Sequence, residues 1–130
     1  MKLGYTIAYV PDVAASLAFF GDAFGLKTRF LHDSGSYGEL ETGETTLSFA
    51  SHALGDLNFP GGVVRASESA RPLGMEIALT TPDVEAAHAS ALKHGATELA
   101  APKTKPWGQT VSWVRAPDGT LVELCTPMGG

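Results

Sequence analysis

The chain has 130 residues, 44% of them apolar and 18% charged, with nine basic against fourteen acidic side chains and a net charge of −5. That length suits one domain able to bury roughly two thirds of its unfolded surface, and the composition excludes general disorder. The acidic balance lacks a Lys/Arg cluster, which argues against nucleic acid or an anionic membrane as partner; no apolar run nears the ~20 residues of a bilayer span, and a lone Cys125 excludes an internal disulfide.

The first residues hold one Lys and then alternate like a strand, which is not a signal-peptide pattern, so a cytoplasmic protein is expected. Leu3–Val10 alternates with Tyr5, Ile7 and Tyr9 on one face and Thr6, Ala8 and Val10 on the other. Pro11 stops the strand, Asp12 is the N-cap of a helix, and Val13, Leu17, Phe20 and Phe24 form its apolar stripe, with Gly25 as terminator. Three strands are expected next, at Leu26–Leu31, Tyr37–Thr42 and Thr45–Ser51. Residues 52–73 break the pattern with Gly55, Pro60, Gly61, Gly62 and Pro72, and a loop of that length is often functional; Phe59 within it is a candidate cover for a binding site. The plan then repeats. A strand at Met75–Thr80 leads to a helix capped by Thr81 with Pro82 at its first position and Val84, Ala87, Ala91 and Leu92 inward. A short strand Thr97–Ala100, a loop Pro102–Gly108, and strands Gln109–Arg115 and Thr120–Thr126 around the turn Ala116–Gly119 complete the chain.

The match of Pro11-Asp12-Val13 to Pro82-Asp83-Val84, 71 positions apart, marks a duplication. The expected fold is α+β: one domain over 1–130 built of two tandem βαβββ modules (1–56 and 74–130) joined by a connector (57–73). Their sheets would curve into a cup-like mixed sheet with helices outside. Strand parity puts Tyr5, Ser48, Glu76 and Glu123 at four equivalent central positions of the cup, with Ile7, Tyr9, Ala50 and His52 beside them. Trp113, paired with Leu121, falls on the same face. Two carboxylates in a partly desolvated cup should couple, with one pKa raised. Cys125 shares that parity but has no identifiable base and reads as a small hydrophobe, while His88 and His94 read as solvent-facing and His32 as a hairpin shoulder.

The paired modules, the V-P-D-V and T-P-D-V junctions and the closing A-P-D-G-T-L-V-E-L resemble the vicinal oxygen chelate superfamily of glyoxalases, extradiol dioxygenases, and fosfomycin- and bleomycin-resistance proteins. The resemblance spans nearly the whole chain, and its enzymes hold a divalent metal in the cup with His, Gln or Glu. Glu123 matches the last-strand acidic ligand; Glu76 and Tyr5 stand where His is usual, and Ser48 where Glu or Gln is usual. Tyr and Ser are poor ligands for such metals, so neither metal nor cofactor nor catalytic residue is assigned. Lys105-Pro106-Trp107-Gly108-Gln109 resembles the P-W-G segment of the bleomycin-resistance branch, whose homodimers sequester drug without a metal. The resemblance implies a homodimer, a small aromatic ligand, and Trp107 as a flat wall for it; Tyr5, Tyr9, Trp107 and Trp113 around Glu76 and Glu123 would suit a planar cation. The alternatives are a glyoxalase-type metal enzyme using Glu123, Glu76 and His52 or water, and a metal-free enzyme using the glutamates as acid and base.

Overall fold

A computed structural model describes residues 1–128. Module one runs β1 (Tyr5–Val10), α1 (Val13–Phe24), β2 (Thr28–Leu31), β3 (Tyr37–Leu40) and β4 (Thr46–Ser51). Helix α2 (His52–Asn58) and a 3-10 turn at Ala66–Glu68 follow in the connecting stretch. Module two runs β5 (Glu76–Thr80), α3 (Val84–Lys93), β6 (Thr97–Thr104), β7 (Thr110–Arg115) and β8 (Leu121–Cys125). Each module is one mixed four-stranded sheet, ordered β1-β4-β3-β2 and β5-β8-β7-β6, with the first strand parallel to the last and the remaining pairs antiparallel. The α+β fold of two βαβββ modules is the one the duplication announces.

Local chemistry explains most of the element boundaries. Asp12 caps α1 by accepting from the Ala15 amide at 3.0 Å, and Gly25 ends the helix in the left-handed conformation at φ 74°. Asp83, not Thr81, caps α3, accepting from the Ala86 amide at 3.0 Å; Thr81 instead takes the Asp83 amide at 3.2 Å, one step before the helix. Strand β6 runs on through Pro102, where a loop was expected. Proline is tolerated there because β6 is the sheet's outer edge and its register slips on both sides of Ala100. Helix α2 was not visible from periodicity, being short, but Ser51 caps it through the Leu54 amide at 3.1 Å.

Each helix covers one face of its own sheet, and α1 and α3 also pack on each other, so Phe19, Phe20, Leu124, Val84 and Ala91 share one core. This second contact buries Ser16, Phe19 and Ala23 besides the expected stripe of α1. Gly38 in β3 permits the close approach of α1, since a Cβ there would lie 2.7 Å from Leu17 Cδ1. The two sheets stay open rather than closing into a barrel, and each keeps one face that no helix covers. The Pro-Asp-Gly turn ties the halves together. Buried Asp118 accepts from Ser16 Oγ at 2.6 Å and from the Thr120 amide at 2.9 Å, and a Cβ on Gly119 would collide with the Ala66 carbonyl.

Candidate functional site

The outward face of module two carries Glu76, Trp113 and Glu123. Strand β8 pairs with β5 and β7 in a register that sets Glu123 opposite Ala78 on one side and Trp113 on the other. Trp113 thus pairs with Glu123 rather than Leu121; the two-residue shift leaves its face unchanged. Its indole N–H donates to Glu76 Oε1 at 3.1 Å, and Glu76, although exposed at the start of β5, is held over the face by that bond. The neighbouring Glu76 carboxyl, then partial burial, hold the Glu123 carboxyl above the usual carboxylate range. The coupling expected of two cup carboxylates is what this geometry produces.

Around them, Lys105 sets its ammonium 5.9 Å from the Trp113 ring centroid, so the ring already engages a cation. Cys125 lies buried next to Glu123, and burial first, then that carboxyl, pushes its thiol pKa up, leaving a protonated, unreactive group as expected of a small hydrophobe. Trp107 stands 62% exposed in the turn before β7, donating its indole N–H to Gln109 Oε1 at 3.0 Å. Gln109 in turn donates to the Thr126 carbonyl at 2.9 Å, which anchors the turn that carries Lys105 and Trp107.

Module one presents a different face. Tyr5 and Ile7 are exposed on β1, while Tyr9 packs edge-on against Phe59 at 6.0 Å and lies under Gly55 of α2. Phe59 therefore covers Tyr9 as part of the chain after α2. Ser48 and Ala50, candidates for ligand contact, are fully buried: β4 is an inner strand, and β3 lays Glu39 and Tyr37 beside them. Glu39 was missed from sequence. It is a buried carboxylate accepting from the Tyr37 hydroxyl at 2.7 Å and from Arg29 at 3.2 Å, and Arg29 also forks onto Glu41 at 3.0 Å through two nitrogens. Burial is the main force raising the Tyr37 phenol pKa, with Glu39 adding to it and Ser48 opposing. An acid inside Tyr37–Leu40, at the parity of Tyr37, was the available signal.

His52 is buried at the start of α2 with Nε2 unpartnered, as is Ser48 Oγ. It belongs to module one and is not brought to Glu76 and Glu123. His88, expected in solvent, is buried between Ser112 Oγ at 2.9 Å and Glu98 at 2.7 Å, because the α3 face that meets β7 includes it. His94 and His32 are exposed, as expected.

The donor set does not suit the divalent metal that the fold implies. Two carboxyls, no imidazole, an exposed tyrosine and a buried serine stand at the four equivalent positions, and among the described residues no three His, Cys, Asp or Glu side chains converge.

Two open, duplicated sheets with this topology define a class of paired βαβββ proteins. The sequence profile of the Glyoxalase/Bleomycin resistance protein/Dioxygenase superfamily matches residues 2–124, and the chain belongs to that superfamily. A glyoxalase-related enzyme from Fulvimarina pelagi superposes with a TM-score of 0.82 at 19% identity, over 98% of this chain and 88% of that one. A family enzyme from Burkholderia phytofirmans PsJN gives 0.74 at 19% identity, over 97% and 98%. A protein of unknown function from Agrobacterium tumefaciens str. C58 gives 0.77 at 25% identity, over 98% and 95%. Among curated proteins none matches the chain in sequence. No helix among the described residues is long and apolar enough to cross a membrane.

Proposed function

We propose that this chain is a cytoplasmic small-molecule-binding protein that sequesters a planar aromatic cation, a natural product or antibiotic, without transforming it. The observation that carries the reading is the pair of neighbouring carboxyls, Glu76 and Glu123, beside an indole that bonds Glu76 and already engages an ammonium group. A flat cation gains both from the ring face and from the acid pair, and Trp107 on its anchored turn supplies a second aromatic surface. Because no helix covers the acid face and Tyr5 and Ile7 remain exposed on module one, a second copy is the natural cover, its module-one face lying opposite the pair.

The test is a mass-balance experiment with 9-aminoacridinium as probe. Saturable, stoichiometric uptake, recovery of the compound unchanged after denaturation, and weakening by Trp107→Ala, Trp113→Phe and Glu76→Gln are expected. Chemical conversion of bound probe, or uptake indifferent to all three substitutions, defeats the reading.

A further inference from the structure

The acid pair accounts for a ligand's charge but leaves a neighbouring feature unused. Strands β1 and β5 are the facing inner edges of the two sheets and are not hydrogen-bonded to each other. Between them runs an apolar groove of about 210 Å³, walled by Ile7 and Tyr9 of β1, Val63 and Val64 of the connector, and Met75 and Leu121. Val64 and Met75 are strongly exposed there, which is costly unless something covers them. A second hollow of about 300 Å³ continues along β5, sharing Thr6, Met75 and Ile77 with the first and reaching Glu76. The apolar groove thus leads toward the carboxylate that Trp113 holds.

The connector wall is fixed in place. Arg115 donates through one nitrogen to the Ala66 carbonyl at 2.7 Å, the Ser69 carbonyl at 2.9 Å and Ser69 Oγ at 3.1 Å, and Gly119 fits beneath Ala66 where no side chain would. Arg115 is the positioning residue of that wall, since a guanidinium bonded to two carbonyls holds the strap beside Val63 and Val64 at a set distance from β1. An open apolar groove with a fixed wall, ending at a carboxylate, matches a ligand with a flexible or flat apolar body and one cationic end.

Building on the sequestration reading, we propose that the groove between β1, the strap and β5 is the apolar half of the binding site, so that the ligand is an amphipathic cation whose tail lies in the groove and whose head meets Glu76. The ligand class is narrower than a planar cation: tail length, not only charge and flatness, sets affinity.

Calorimetric titration with N-octylpyridinium and N-methylpyridinium separates the two halves. With the wild-type chain the octyl compound should bind at least about tenfold more tightly, given the apolar area a tail of that length buries. Val63→Thr and Val64→Asn together should shrink the ratio to about threefold or less while leaving the methyl compound unchanged. Arg115→Met should lower octyl affinity alone, through a strap no longer held. Glu76→Gln should weaken both compounds alike. Equal affinity of the two compounds for wild type, or a ratio that survives the groove substitutions, overturns the groove proposal and leaves the acid–indole site standing. Failure of both compounds to bind wild type removes the sequestration reading and the groove with it. If the groove substitutions change the association state of the protein and leave both affinities untouched, the groove is a seam between copies and the proposal fails.

Discussion

Glu123 is the side chain on which the chemistry turns, and its position follows from three local facts. It lies on β8 between Ala78 and Trp113, neighbours the Glu76 carboxyl, and is partly withdrawn from water. A carboxyl raised in the folded state binds more protons than in the unfolded chain, so its contribution to stability is complete below the ordinary carboxylate range and is lost as pH rises through its folded value. Unfolding titrations from about pH 4 to about pH 8 should show that loss in the wild type, and Glu123→Gln should flatten it. A wild-type profile already flat there contradicts the raised Glu123 carboxyl. A second residue-scale expectation concerns Asp118. Ser16→Ala removes one of its two hydrogen bonds in a buried setting and should cost about 2 kcal/mol in chemical denaturation, against a few tenths for an exposed serine such as Ser34.

The elements were legible to different depths, for physical reasons. Strand β1, helix α1 and its caps at Asp12 and Gly25 could be read directly, because a proline, an aspartate and a left-handed glycine each have one local meaning. The start of α3 could not, since Thr81-Pro82-Asp83 offers two capping side chains in a row and only the backbone chooses between them. Asp83→Ala should cost about 1 kcal/mol and Thr81→Ala less, a difference thermal melts resolve. Strand β6 was cut short at Pro102 because sequence does not announce an edge strand with slipped register. His88 was placed in solvent because a lone helix shows only its own stripe, whereas its burial comes from β7 and the Glu98 strand packed against it. The same limit hid the extra buried face of α1, which exists only because α3 lies on it.

At the scale of the whole molecule, the duplication made both modules and the paired glutamates visible, since strand parity sorts a face without any knowledge of packing. What parity does not give is which faces meet. The α1–α3 contact joins the modules through the faces their helices cover and leaves the acid face of module two and the tyrosine face of module one without a helix, the faces that the proposed second copy would cover. Sedimentation should find a dimer at micromolar concentration, weakened by Ile7→Asp on the exposed β1 face. Arg29, Glu39 and Tyr37 eluded the sequence reading because their importance lies in side-chain bonds, across β2 and β3 for Arg29 and along β3 for Tyr37. The most direct test of the central claim is the affinity of the protein for 9-aminoacridinium measured across pH. Binding should tighten as pH rises through the raised Glu123 value, as that carboxyl becomes charged, and Glu123→Gln should abolish that rise. Affinity that is independent of pH, or a rise that persists in Glu123→Gln, contradicts an acid pair as the seat of ligand recognition.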